Sequence, residues 1–84
     1  MSMSKIVIEI YVPSIDSMFD VSIPCNATIF ELLPLMIVAV TRLSQGHFIS
    51  NNAILCNGNT GVILSNNMSV NDLKLENGSR LILI

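Results

Sequence analysis

Charge is what this sequence has least of. Only 12% of its 84 residues are charged, and four basic residues stand against six acidic ones, for a formal net charge of −2. Binding to nucleic acid depends on clustered lysine and arginine side chains that neutralise phosphates. The four basic residues are scattered along the chain. The sequence therefore predicts no nucleic-acid partner.

A long hydrophobic run is also missing, although 51% of the residues are hydrophobic and the mean hydropathy is +0.67. The longest apolar stretch, IFELLPLMIVAV, runs from Ile29 to Val40 and contains a glutamate and a proline. A helix that spans a bilayer needs about 20 predominantly apolar residues. The first ten residues, MSMSKIVIEI, show no signal-peptide cleavage pattern. We expect one cytoplasmic domain over residues 1–84, with no direct membrane span.

Cysteine is scarce, and its spacing excludes several kinds of site. Cys25 and Cys56 are far apart and lack the paired spacing of a zinc or redox motif. A [2Fe–2S] cluster needs four thiolates, and the chain has two. We expect two small, buried, reduced side chains. The alternative is a disulfide between them, if the fold brings them together.

Residues with catalytic potential are few and isolated. His47, the one histidine, falls in a predicted loop, where only Ser44 and Ser50 are near in sequence. A general base needs a partner within hydrogen-bond reach, and no acidic cluster accompanies it. Asp16 and Asp20 flank a predicted hairpin turn, where aspartate commonly binds local amides. The sequence predicts a non-enzyme with no catalytic residue, cofactor or metal.

Alternating apolar residues predict most of the strands. KIVIEIYV and MFDVSIP alternate with a period of two around PSIDS, which is typical of a hairpin of strands at about 5–13 and 18–24. AILC and GVILS around NGNTG predict a second hairpin, at about 53–57 and 61–65. The final strand, RLILI at about 79–84, does not alternate, which favours a central position with parallel pairing.

One helix is predicted over about 28–45. Thr28 and Glu31 have the spacing of a capping box, and Gln45-Gly46 marks the end. Pro34 lacks the amide that would bond to Phe30, so we expect a bend or a distorted first turn. The helical spacing places these residues on a stripe that faces the core: Ile29, Leu32, Leu33, Met36, Val40 and Leu43.

A single helix must bury its apolar stripe against one face of one sheet. The order of elements is hairpin, helix, hairpin, polar connection and closing strand. It predicts an α+β fold of the ubiquitin-like β-grasp type, with a mixed sheet of four to five strands packed on one helix.

Two segments carry a resemblance to a known family. DLKLENGSRLILI resembles the ending of ubiquitin-like domains, and FDVSIPCNATIFELLPLMIV resembles the strand, linker and helix of YukD-like (EsaB) proteins. The second segment is also similar to the ubiquitin-like N-terminal domain of the EccD membrane components of type VII (ESX) secretion systems. The ELLP of Glu31 to Pro34 is its most EccD-like feature. The resemblance covers nearly the whole chain from Lys5 to Ile84.

This resemblance implies a bacterial, non-catalytic interaction or scaffolding module at the cytoplasmic face of the cell membrane. Its implied partners are membrane components of a secretion machine. The alternative is a ubiquitin-like modifier or sulfur carrier, which acts through a flexible C-terminal Gly-Gly. The last residue of the sequence is instead the β-branched Ile84, within the final predicted strand. We therefore expect docking and not conjugation, unless a tail follows.

The helix offers the candidate interface. Its side opposite the core stripe is apolar where a surface helix normally carries charge. This outward helix face consists of Phe30, Pro34, Leu35, Ile37 and Val38. We expect it to dock onto a membrane component or to form a homodimer. The alternative is that loops at His47–Asn52 and Ser65–Ser69 fold over it.

Overall fold

The first two strands form a long antiparallel hairpin. The computed structural model describes residues 4–48 and 52–84, in which β1 (Lys5–Val12) pairs with β2 (Ser17–Pro24) over its full length. A short 3-10 helix, Pro13–Ile15, makes the turn and ends at Asp16, whose φ of 48° is left-handed. The predicted hairpin is therefore confirmed, with Pro13 in the turn and not in the strand.

The helix α1 (Ile29–Leu43) follows, with Thr28 as its N-cap and Ser44 as its C-cap. The capping box is present in both directions, as predicted. The helix continues through Pro34. Pro34 therefore does not end the helix, even though it removes one main-chain donor.

The last strand is central and parallel to the first, as its continuous apolar sequence predicted. β4 (Arg80–Leu83) pairs in parallel with β1 and antiparallel with β3 (Leu55–Asn57), which gives the sheet order β2-β1-β4-β3. The Glu9 amide donates to the Ser79 carbonyl at 2.8 Å, at the start of the parallel pair. The fold is α+β, with a mixed four-stranded sheet packed on one helix.

The predicted strand at 61–65 is not a separate strand. One bridge joins Cys56 to Ile63, flanked by a 2.8 Å bond from the Asn57 amide to Val62 and a 2.9 Å bond from the Leu64 amide to Leu55. β3 has only three residues, so the turn around Gly61 leaves room for little pairing. The second hairpin is thus present in shortened form, and the described residues form a sheet of four strands and not five.

The core lies between α1 and one face of the sheet. Ile8, Ile10 and Val12 of β1 are fully buried, as the alternation predicted. The helix stripe is buried at four positions: Ile29, Leu32, Met36 and Val40. Leu33 is half-buried, and Leu43 is 52% exposed. The placement of Leu43 in the core was wrong, because the helix ends at this residue beyond the reach of the sheet's apolar face.

Candidate functional site

The first turn of α1 is fixed by its own cap. The Glu31 amide donates to the Thr28 hydroxyl at 3.2 Å, and the Thr28 amide donates to a Glu31 carboxylate oxygen at 3.0 Å. The Thr28 hydroxyl donates to the same oxygen at 2.9 Å. These hydrogen bonds favour the charged carboxylate and lower the pKa of Glu31.

A loop after β3 satisfies the next free amides of the helix. The Ile29 amide donates to the Met68 carbonyl, and the Phe30 amide donates to the Asn66 carbonyl, each at 3.0 Å. The first amides of a helix have no partner within it, so such contacts hold its start in place. The start of the outward helix face is therefore anchored through the main chain, which leaves the Phe30 side chain free to project.

The outward helix face is exposed at four of its five positions. Phe30 is 71% exposed, Leu35 65% and Val38 49%, and Pro34 is exposed as well. Ile37 is half-buried and packs against the core. Four of the five residues therefore point away from the sheet, whereas Ile37, which the sequence placed on the same face, lies at its border with the core.

The loop at Ser65–Ser69, one of two expected to cover this face, does not bury it. Asn66 and Asn67 line a shallow hollow beside Phe30, and Phe30 stays 71% exposed. Of the other loop, residues 49–51 lie outside the described part of the chain. Large exposed apolar side chains grouped on one element are typical of an interaction site.

Charge is confined to the two ends of the helix. Glu31 lies in the first turn and Arg42 in the last, with ten uncharged residues between them. Each sign stands at the end of the helix dipole that it stabilises. The outward helix face therefore offers apolar area and no charge of its own for steering a partner.

The structure also shows an apolar row that sequence reasoning missed. On the sheet face away from α1, the pairing aligns Met18 with Tyr11, Tyr11 with Ile82, Ile82 with Cys56, and Cys56 with Ile63. Side chains of directly paired residues share a sheet face. The last strand is apolar on both faces, which was the indication in the sequence that this sheet face also carries apolar residues. The row itself depends on pairings between distant segments.

The remaining sequence candidates have local structural roles. The His47 ring nitrogen Nδ1 lies 2.7 Å from the Ser44 main-chain oxygen, while Ser50 lies outside the described residues. Asp16 accepts a 2.8 Å hydrogen bond from the Tyr11 hydroxyl, and both cysteines are free thiols. Within residues 4–48 and 52–84, no group of three potential metal ligands comes together.

Tyr11 has an altered acidity because of its contact with Asp16. The hydrogen bond to the carboxylate, together with burial and the nearby negative charge, raises the pKa of the phenol above 10.0. The hydrogen bond links the end of β1 to the residue that ends the turn.

None of the helices in the described ranges has the length and hydropathy that crossing a bilayer requires.

Comparison with known proteins identifies the fold. No protein-family model and no curated protein sequence matches this chain. The ubiquitin-like domain of EccD5 from Mycobacterium xenopi is similar in structure, with a TM-score of 0.80 and 19% identity over 96% of this chain and 93% of that one. The chain has the ubiquitin-like fold.

Two further solved structures share this fold. The ubiquitin-like domain of the Mycobacterium tuberculosis type VII secretion protein EccD1 has a TM-score of 0.78 and 15% identity, over 98% of this chain and 99% of that domain. A chain of an ESX-5 inner membrane complex has a TM-score of 0.76 and 21% identity. The match covers 95% of this ubiquitin-like chain but only 20% of that larger one.

Proposed function

We propose that this chain is a non-catalytic interaction module of a bacterial type VII secretion system. It acts at the cytoplasmic face of the cell membrane and docks through the outward helix face onto a membrane component of the secretion machine. The observation that carries the proposal is the exposure of Phe30 and Leu35, at 71% and 65%, on a helix whose opposite side is buried.

The structural comparisons supply the context. Two similar structures are ubiquitin-like domains of EccD proteins, and a third belongs to an ESX-5 inner membrane complex. Fold alone does not determine function, so the surface has to support the role as well. A small ubiquitin-like domain with an apolar helix face suits docking onto a larger assembly.

Apolar area provides the driving force for that docking. Burying about 300 Å² of apolar surface contributes roughly 7 kcal/mol before the cost of association is subtracted. A face of this kind concentrates its binding energy in a few large side chains. Phe30 and Leu35 are the largest exposed side chains of the outward helix face, so they are the expected anchors.

Binding to the secretion machine tests the proposal. Purified chain is titrated against the detergent-solubilised type VII inner-membrane complex of the same bacterium, with affinity measured by biolayer interferometry. We expect Phe30→Ser and Leu35→Ser each to weaken binding about tenfold or more, as for interface anchors. The matched control is Val62→Ser, which removes a side chain that is 62% exposed and lies off the helix.

Three results would contradict the proposal. The complex does not bind the wild-type chain, or Val62→Ser weakens binding as much as Leu35→Ser does. The third is self-association: light scattering shows a wild-type dimer that Phe30→Ser converts to a monomer. In that case the outward helix face joins two copies of the chain and is not a docking site for the membrane complex.

A further inference from the structure

β2 forms one edge of the sheet, and half of its main chain faces outward. The Cys25 amide donates to the Ser4 carbonyl at 3.0 Å, so Ser4 and Cys25 are a hydrogen-bonded pair just beyond the strand ends. Hydrogen-bonded and non-hydrogen-bonded pairs alternate along an antiparallel ladder. The alternation leaves Met18, Asp20 and Ser22 in non-hydrogen-bonded pairs with β1.

These three residues therefore direct their amides and carbonyls away from the sheet. Glu9, which lies opposite Asp20, confirms the alternation, because its amide bonds to Ser79 on the side of β4. In residues 4–48 and 52–84, no other strand lies beyond β2. A row of unpaired main-chain donors and acceptors is complementary to an extended peptide.

A cleft runs beside this edge on the helix side of the sheet. It has a volume of about 520 Å³, and its apolar walls come from Ile15, Phe19 and Leu43. Leu43, at 52% exposure, is the side chain that the sheet fails to cover. Alternate side chains of a strand added to β2 would point toward this cleft, because neighbouring strands share their alternation.

The opposite face of the same edge carries an unbalanced charge. Asp20 lies directly opposite Glu9, and Glu9 is paired with Arg80 at 3.2 Å. Within the described ranges Asp20 has no ion pair of its own. Like charges opposite each other are unfavourable, and opposite charges across strands are favourable. A residue placed beside Asp20 on an added strand would therefore be basic.

We propose that the edge of β2 binds an extended peptide by strand addition. Apolar side chains of that peptide enter the cleft beside Phe19 and Leu43, and the basic residue between them faces Asp20. This binding site is separate from the outward helix face and does not depend on the proposed secretion role. A second copy of the chain fits less well, since antiparallel pairing centred on Asp20 would set two carboxylates opposite each other.

Nuclear magnetic resonance with a synthetic peptide tests this site. The probe is the capped peptide Ac-STVRVTS-amide, in which valines flank one arginine, titrated into the full isotope-labelled chain. We expect shift changes at Met18 to Ser22 and around Leu43, and slower hydrogen exchange of the Met18, Asp20 and Ser22 amides. The same peptide with N-methylated amides on its pairing edge keeps the side chains but cannot pair, and should not bind.

Charge exchange makes the test specific. Asp20→Asn should weaken binding of the arginine peptide about threefold, as expected for a surface ion pair. Asp20→Lys should reverse the preference, so that a peptide with glutamate in place of arginine binds better. Leu43→Ser should also weaken binding about threefold or more, because it removes a cleft wall. Amide spectra verify that each variant folds.

Several outcomes would overturn the proposal. They are no binding at the highest soluble peptide concentration, equal binding of the N-methylated peptide, or shifts centred on Phe30 and Leu35. The same conclusion follows if Asp20→Lys leaves the peptide preference unchanged. Shifts along β2 that depend only on protein concentration would mean that a second copy pairs with this edge.

Discussion

The main-chain amide of Phe30 donates a 3.0 Å hydrogen bond to the carbonyl of Asn66, while Phe30 itself remains 71% exposed. The loop that could have covered the ring instead holds the backbone beneath it. A fixed backbone reduces the entropy lost when a partner immobilises the side chain. This relationship suits a residue that is presented to another molecule.

The first prediction concerns the stability of outward-face variants. Phe30→Ser and Leu35→Ser should change the free energy of unfolding by about 0.5 kcal/mol or less, since neither side chain is buried. Ile37→Ser should cost more, because Ile37 packs against the core. Urea unfolding followed by circular dichroism measures all three. A large loss for Leu35→Ser would show that this side chain serves folding and not binding.

The capping box gives a second prediction. Thr28→Ala should lower the free energy of unfolding by about 1 kcal/mol, the usual cost of losing a threonine N-cap. Ser14→Ala, at an exposed position in the 3-10 helix, is the control and should change little. Equal melting temperatures for the two variants would mean that the hydrogen bonds from the Ile29 and Phe30 amides to the Met68 and Asn66 carbonyls hold the helix start without the cap.

The acidity of Glu31 predicts a pH dependence. Its pKa is lowered from 4.5 in the folded chain by hydrogen bonds from Thr28. The ionised Glu31 carboxylate therefore stabilises the folded chain above pH 4.5, and this contribution is lost as the pH falls through the folded-state pKa of Glu31. Urea unfolding at a series of acidic pH values should show a smaller loss for Glu31→Gln than for wild type. Parallel curves would assign the acid sensitivity to other carboxylates.

Tyr11 allows a direct optical test of its contact with Asp16. The chain has one tyrosine and no tryptophan, so phenolate absorbance reports Tyr11 alone. The titration midpoint should lie above 10.0, and Asp16→Asn should bring it closer to that value. Because the folded-state pKa of Tyr11 is raised, the protonated phenol contributes its full stabilisation of the fold below pH 10.0. This contribution is lost as the pH rises through the folded-state pKa. Identical midpoints in the two proteins would contradict the contact.

Gly58 predicts a steric effect at the junction of β3 and β4. A β-carbon at this position would lie 2.5 Å from the Arg80 carbonyl oxygen and 2.8 Å from its carbonyl carbon. The main chain of a central strand cannot easily move, so Gly58→Ala should destabilise the fold by about 1–3 kcal/mol. Asn59→Ala, an exposed neighbour, is the control. An unchanged melting temperature would show that β3 shifts freely.

Local patterns predicted the elements because they depend on neighbouring residues. The alternation of Lys5–Val12, the Thr28–Glu31 spacing and the apolar RLILI all led to elements that the structure confirms. The prediction of a fifth strand at about 61–65 was wrong, because an apolar run such as GVILS does not show how many residues of a neighbouring strand are available for pairing. β3 has three residues, so only one bridge forms there.

The residues of the candidate site were also predictable only in part. Helical periodicity placed Phe30, Leu35 and Val38 on the outward side, but it could not show that Leu43 lies past the reach of the sheet. It also could not place Cys56, which is 4% exposed although it lies on the face away from α1. Both depend on where distant segments end in space.

By itself, the sequence determined the types of element, the cap of the helix and the two apolar sides of α1. Those follow from hydrogen bonds and side-chain spacings within a few residues along the chain. Only the tertiary structure decided which apolar residues stay uncovered, that Asp20 faces Glu9, and that β2 has an open edge. The reason is that strand pairing, and burial at the ends of the elements, arise from contacts between segments far apart in sequence, whereas a local pattern such as RLILI indicates only that a strand is central.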